Sequence, residues 1–295
     1  MQSFIIIALA VAASYAEVTS PVFGYHFKTG IPRAAAIRKQ EEALDANRIV
    51  NGEVTDISSV PYQVGLVIQV LVIFTSVCGG SLISATSIIT AAHCHNDGSI
   101  LGTSFTAVLG SNRIFSGGLR LNSNTIISHP GWNANTAAND IAILHIIHLS
   151  IVYYSRYIIT KTRLVTDVIQ PIALPTGDND YSGEFALASG YGLTSDGGSI
   201  GTNQVLNSVS LRVITNIECY AVFGSFVHDS NICTSGEGGQ GTCSGDSGGP
   251  LAHTNNGETV LIGVTSYGAA DGCSLGFPAA FSRITSYLDW ISENE

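Results

Sequence analysis

Beyond residue 60 the chain alternates apolar and polar positions in short runs broken by Gly, Asn and Ser. Tyr62–Ile68, Ser87–Ala91, Asn139–Leu144, Glu184–Ala188 and Val260–Val264 carry this pattern most clearly, and it predicts half-buried strands of an antiparallel architecture. Two stretches depart from it. Ala34–Ala46 is a mixed-charge run of helical appearance, and Ile284–Ile291 spaces Ile284, Tyr287, Leu288 and Ile291 along one face of an amphipathic helix. No internal repeat or low-complexity tract interrupts the order of parts. At the start, Phe4–Ala13 is an unbroken apolar run followed by Ser14, Tyr15 and Ala16. That run is well short of the roughly 20 residues needed to cross a bilayer. The small residues at 14 and 16 suit cleavage after Ala16, so residues 1–16 are expected to be a signal peptide and the chain to be secreted, extracellular and without a membrane anchor.

Composition supports a β-rich reading. Charged residues are only 12% of the 295, against 45% hydrophobic residues and 32 glycines, as short strands joined by turns require. A net charge of −10 with no run of Lys or Arg excludes nucleic acid and an anionic membrane surface as partners. All 6 cysteines fall at or after Cys78 and can pair in an oxidising compartment, though their pattern alone leaves many connectivities open. No CxxC pair recurs. His93-Cys94-His95 and His145-x-x-His148 look like ligand fragments, but nothing is spaced to complete either, so neither metal nor cofactor is expected.

Three segments carry chemistry. Gly245-Asp246-Ser247-Gly248-Gly249-Pro250 flanks a serine with glycines, whose freedom lets the backbone take unusual dihedrals and lets another chain approach. The N–H groups of Gly245 and Ser247 can then converge on one point, as an oxyanion hole requires. Thr90-Ala91-Ala92-His93-Cys94 ends an apolar strand on a histidine, and a serine hydroxyl needs such a base to become a nucleophile. Asn139-Asp140-Ile141-Ala142-Ile143-Leu144 supplies a carboxylate that could orient the imidazole. Taken singly, a core histidine, a strand-capping aspartate and a serine turn are ordinary structure. Together, in the order His, Asp, Ser, they form a hydrolytic set, and other triad folds use other orders.

These segments, with Ile49-Val50-Asn51-Gly52, Cys78-Gly79-Gly80-Ser81-Leu82, Gln170-Pro171-Ile172 and Ser266-Tyr267-Gly268, resemble the chymotrypsin-like serine proteases, most of all the digestive chymotrypsin-like enzymes of insects. The resemblance runs from Ile49 to the C-terminus. It implies an all-β fold of two packed six-stranded antiparallel barrels with a short C-terminal helix and the active site between them. It implies Ser247 as nucleophile, His93 as general base, Asp140 as orienting carboxylate and Ser266 as its support. It implies the disulfides Cys78–Cys94, Cys219–Cys233 and Cys243–Cys273. It also divides the precursor into signal peptide 1–16, activation propeptide 17–48 and peptidase domain 49–295.

Activation would follow a cut at Arg48–Ile49 by a trypsin-like protease, the new Ile49 ammonium pairing with Asp246. Gly241 stands at the pocket base where trypsin-like members carry Asp. With Gly268 open on one wall and Ala279 on another, the pocket is expected to take large apolar side chains, elastase-like preference for small ones being the alternative. The expected enzyme is a monomer acting on proteins or peptides in digestion. An inactive homologue acting as a binding protein is the rival from another class, and the presence of all three triad residues argues against it. A cascade protease is less favoured, because residues 1–77 contain no cysteine. The chain departs from the family in the length of 145–168, which is either an insertion or sequence wrongly retained in the gene, and in the loop Gly110–Leu121, which lacks the Asp or Glu that calcium would need.

Overall fold

The computed structural model describes residues 19–46, 55–146, 166–193 and 205–295. Arg48 and Ile49, most of the long 145–168 stretch and His148 lie outside the described residues.

The first sheet has the order β5-β4-β1-β2-β3-β7-β6. Its strands are β1 (Gln63–Val70), β2 (Phe74–Leu82), β3 (Ser87–Thr90), β4 (Gly102–Leu109), β5 (Leu119–Ser123), β6 (Thr125–Ser128) and β7 (Ala142–His145). β5 and β6 hold opposite edges yet are separated only by Asn124. One run of chain therefore makes both margins and closes the sheet into the first barrel, which explains how seven strand segments make six staves. Val64, Leu66, Ile68, Leu82, Ile88 and Leu144 share its inner face.

The second sheet is a closed barrel of six strands, β10-β13-β12-β11-β8-β9. These are β8 (Phe185–Gly190), β9 (Asn207–Ile214), β10 (Asn231–Thr234), β11 (Pro250–Asn255), β12 (Glu258–Gly268) and β13 (Ala279–Arg283). Its core includes Ala186, Leu211, Ile232, Leu251 and Phe281. Three disulfides tie the loops, Cys78–Cys94, Cys219–Cys233 and Cys243–Cys273, the same pairs that the resemblance implies.

The helices are α1 (Ile31–Ala46), α2 (Asn216–Phe223) and α3 (Leu288–Asn294). α1 extends the expected run by one turn and follows a π-helical turn at His26–Gly30. Ile284, Tyr287 and Ile291 are buried as their spacing requires, but Ile284–Ser286 form a 3-10 turn and the helix itself starts at Leu288. These apolar residues join the core of the first barrel, so the C-terminus straps the two barrels together. α2 was not expected from periodicity.

Candidate active site

Register brings the first two residues together. β3 pairs with β7 so that Thr90 faces Ala142. His93 lies just beyond the end of β3, on the 3-10 turn Ala92–Cys94, and Asp140 lies just before β7. The two therefore meet at one end of the barrel. His93 Nδ1 lies 2.7 Å from Asp140 Oδ2, and the His93 backbone N–H donates to Asp140 Oδ1 at 2.9 Å. An ionised carboxylate can only accept, so Nδ1 carries the ring proton and Nε2 is left as the acceptor. The Ser266 hydroxyl, from β12, donates to the same Oδ2 at 2.5 Å, and Ser282 Oγ donates to the Asp140 carbonyl at 2.7 Å. His93 and Asp140 are fully buried, which strengthens these charge-assisted bonds. Ser282 was missed by sequence reasoning. It lies on an ordinary strand, and no local motif marks it.

Ser247 sits in the loop between Cys243 and β11, pinned across the seam of the barrels. The Gly79 N–H of β2 donates to its carbonyl at 2.7 Å, and the Gly248 N–H donates to Thr265 O at 2.8 Å. Such close backbone approach requires glycine. A Cβ on Gly79 would meet Gly249 Cα at 2.8 Å, and one on Gly248, at φ +80°, would meet Thr90 Oγ1 at 2.3 Å. Gly245 also has positive φ, +102°. The Ser247 carbonyl lies 3.8 Å from Cys94 Sγ, so its loop passes beside the turn that carries His93. His93 Nε2 is buried and has no hydrogen-bond partner among the described residues.

Asp246 turns inward beneath the loop. Its Oδ1 accepts from the Gly192 N–H at 2.7 Å and its Oδ2 from the Cys243 N–H at 2.9 Å. Burial nevertheless pushes its carboxyl up to about 6, although these two bonds and the nearby Arg33 guanidinium act the other way. A Cβ on Gly192 would stand 2.4 Å from this carboxylate, so only glycine fits there.

Beside Ser247 opens a cavity reached by Gly241, Gly268 and Ala279. A Cβ built on Gly268 would meet nothing within 4 Å, and one on Gly241 would meet only Cys273 O at 3.7 Å. Ala279 is buried in the wall. Cys78, His93 and Cys94 also lie close enough to suggest a metal set, but both sulfurs are joined in a disulfide and offer no thiolate.

Two residues that sequence reasoning did not connect to the site come from before residue 48. The Tyr25 ring packs edge-on against the His93 ring, with centroids 4.6 Å apart, and its hydroxyl donates to Val77 O at 2.8 Å. Arg33 is buried and donates from Nη2 to Tyr191 O at 3.2 Å. Its Cγ would stand 3.0 Å from a Cβ on Gly245.

Comparison with known proteins gives consistent results. The family model described as Trypsin matches residues 49–291. Serine protease 1 of Drosophila melanogaster is 36% identical over 254 residues, 84% of this chain and 85% of its own. Brachyurin of Leptuca pugilator is 37% identical over 247 residues, 82% of this chain and 96% of its own. The solved structure of HL collagenase shares 36% identity at a TM-score of 0.69, over 83% of this chain and 98% of that one.

Proposed function

Because the chain belongs to the Trypsin family of chymotrypsin-like serine endopeptidases, we propose that it is a secreted zymogen whose Ser247, His93 and Asp140 cleave peptide bonds through an acyl-enzyme. Ser247 Oγ attacks the scissile carbonyl while His93 Nε2 takes its proton. Asp140 holds the Nδ1–H tautomer and stabilises the imidazolium that forms. The Gly245 and Ser247 N–H groups receive the developing oxyanion. His93 then returns the proton to the leaving amine, and water repeats the sequence to release the acid. The observation that carries this reading is the buried His93–Asp140 pair, bonded twice and supported by Ser266.

Activation is read as a cut at Arg48–Ile49 by a trypsin-like protease. The freed Ile49 ammonium would pair with Asp246, whose raised pKa in the uncut chain marks a buried carboxylate short of positive charge. The pocket supports a preference for large apolar side chains. Gly241 supplies no carboxylate, so a buried Arg or Lys would lack a partner, and the open space at Gly268 admits a ring. Ala279, in the cavity wall, would shift the preference from aromatic rings towards Leu, and an elastase-like preference for small residues is the second reading. We further assign the enzyme to digestion of dietary protein.

The test is kcat/KM of the activated protein on matched peptides ending in Phe, Leu, Ala and Arg. Phe or Leu should exceed Ala by one to two decades, the roughly 1.5–3 kcal/mol of a buried side chain. Ala ahead of both would make the enzyme elastase-like, and Arg ahead of both would refute the pocket reading. Ser247→Ala should remove activity on every peptide.

A further inference from the structure

The segment before residue 48 does more than carry a cleavage site, because it lies over the cleft, with Val22 and Tyr25 lining the cavity beside Ser247. Residues 20–25 form a tight turn in which the Phe23 N–H donates to Ser20 O and the Tyr25 N–H to Val22 O, at 3.1 and 3.3 Å. Val22 is buried among Ala137, Tyr267 and Ala280 beside the cleft. Tyr25 lies across His93. The His26 N–H donates to Asp97 Oδ2 at 2.8 Å, and its ring Nδ1 lies 2.9 Å from Ser76 Oγ. A protease takes its substrate as an extended strand, and this turn presents none. It blocks without offering a scissile bond in the right shape.

α1 anchors the turn from a distance. Arg33, Ile37 and Glu41 follow one another at four-residue spacing and are all buried, so one helix face is turned wholly to the catalytic domain. Glu41 accepts from the Ile114 and Phe115 N–H groups at 2.8 and 3.1 Å and from the Ser116 hydroxyl at 2.8 Å. Arg38 stacks over the Phe115 ring, 4.7 Å from its centroid. No cysteine precedes Cys78, so no disulfide can tie this segment to the rest of the chain. The docked surface thus combines an apolar centre, Tyr25, Ala34 and Ile37, with polar contacts around it, the make-up of a partner's interface.

We infer that residues 19–46 act as an inhibitor covering the cleft that stays docked after the chain is cut, the enzyme becoming active only when the freed segment leaves or is digested. This rests on the proposed cut after Arg48. Cutting would remove only the tether, and the contacts of Tyr25, His26 and Glu41 would persist. Dissociation then follows mass action.

The test uses the full-length protein cut with limiting trypsin, mass spectrometry recording the new Ile49 terminus and the fragment ending at Arg48. Size-exclusion chromatography should find the fragment co-eluting with the enzyme. Activity per mole on a small peptide should rise at least about tenfold on dilution or prolonged incubation. Tyr25→Ala and Glu41→Ala proteins, cut identically, should lose the fragment on the column and reach full activity without delay. Glu41 bonds Ile114, Phe115 and Ser116 and none of the catalytic groups, so its variant tests docking without altering them. Immediate full activity of the cut wild-type protein, with the fragment already separate and both variants indistinguishable from it, would overturn the inference. Absence of an Ile49 terminus on activation would instead overturn the cleavage reading.

Discussion

Asp140 shows how much chemistry one side chain can concentrate. Its two oxygens accept from the His93 backbone, the His93 ring and Ser266. Asn in its place would keep one acceptor and turn a donor towards a group that also donates, favouring the wrong tautomer of His93. Asp140→Asn should therefore lower kcat by about 10⁴ with KM nearly unchanged. A loss of less than tenfold in steady-state kinetics would mean that the carboxylate is not what orients the ring. His93, Asp140 and Ser247 stood out as candidates because each stands inside a contiguous motif, and the structure brings the first two into contact. Tyr25 and Glu41 were not, because their partners lie 52 and 73 residues away and no local pattern announces such contacts. Arg33 is a stronger case, its carbonyl partner being 158 residues distant.

At the scale of elements, alternation pointed to β1, β3, β7, β8 and β12, while boundaries shifted by up to four residues and the half-exposed β6 and β9 were not singled out. β7 begins at Ala142, because Asp140 belongs to the bend that delivers it to His93. α2 escaped notice since only Cys219 is buried along it, leaving no apolar stripe. Its signature was Thr215-x-x-Glu218, a reciprocal capping box. α1 showed a helical composition but gave no hint of docking, because the face it buries carries Arg33, Gln40 and Glu41. That docking should depend on pH. Burial holds the His26 imidazole down at about 4 against an ordinary 6.5, with nearby His93 and His95 adding to the effect and Asp97 opposing it. Between those values the docked state binds fewer protons than the undocked one, so docking weakens as pH falls through this window. Asp97 adds in the same direction. Its burial acts to raise it, but N–H donors from His26, Ile100 and Ser99 hold it below its usual value, so its contribution is also lost in acid. Amide exchange across residues 22–41 should be less protected at pH 5 than at pH 7 after correction for intrinsic rates. Equal protection would count against this account.

For the molecule as a whole, the candidate catalytic groups come from both barrels, His93 and Asp140 from the first and Ser247 and Ser266 from the second, so the proposed activity depends on how the two barrels pack. Arg48→Gln protein should remain inactive after exposure to trypsin, and full peptidase activity of that variant while uncut would sink the zymogen reading. The closure of the first sheet at Asn124 bears on a different hazard, that of an enzyme stored among copies of itself. Digestion begins by pairing with a victim's exposed strand margin, and a sheet whose margins are one continuous run offers only the short outer sides of β5 and β6. Self-destruction must therefore start at a turn. The β1–β2 turn is the exposed place, with Leu71, Val72 and Ile73 at 51%, 83% and 77% accessibility and left-handed backbone at Leu71 and Val72. Concentrated active enzyme followed by mass spectrometry should nick itself first beside Leu71 or Phe74, with the barrel staves still whole; a first cut within a stave would show that closure gives no such shelter.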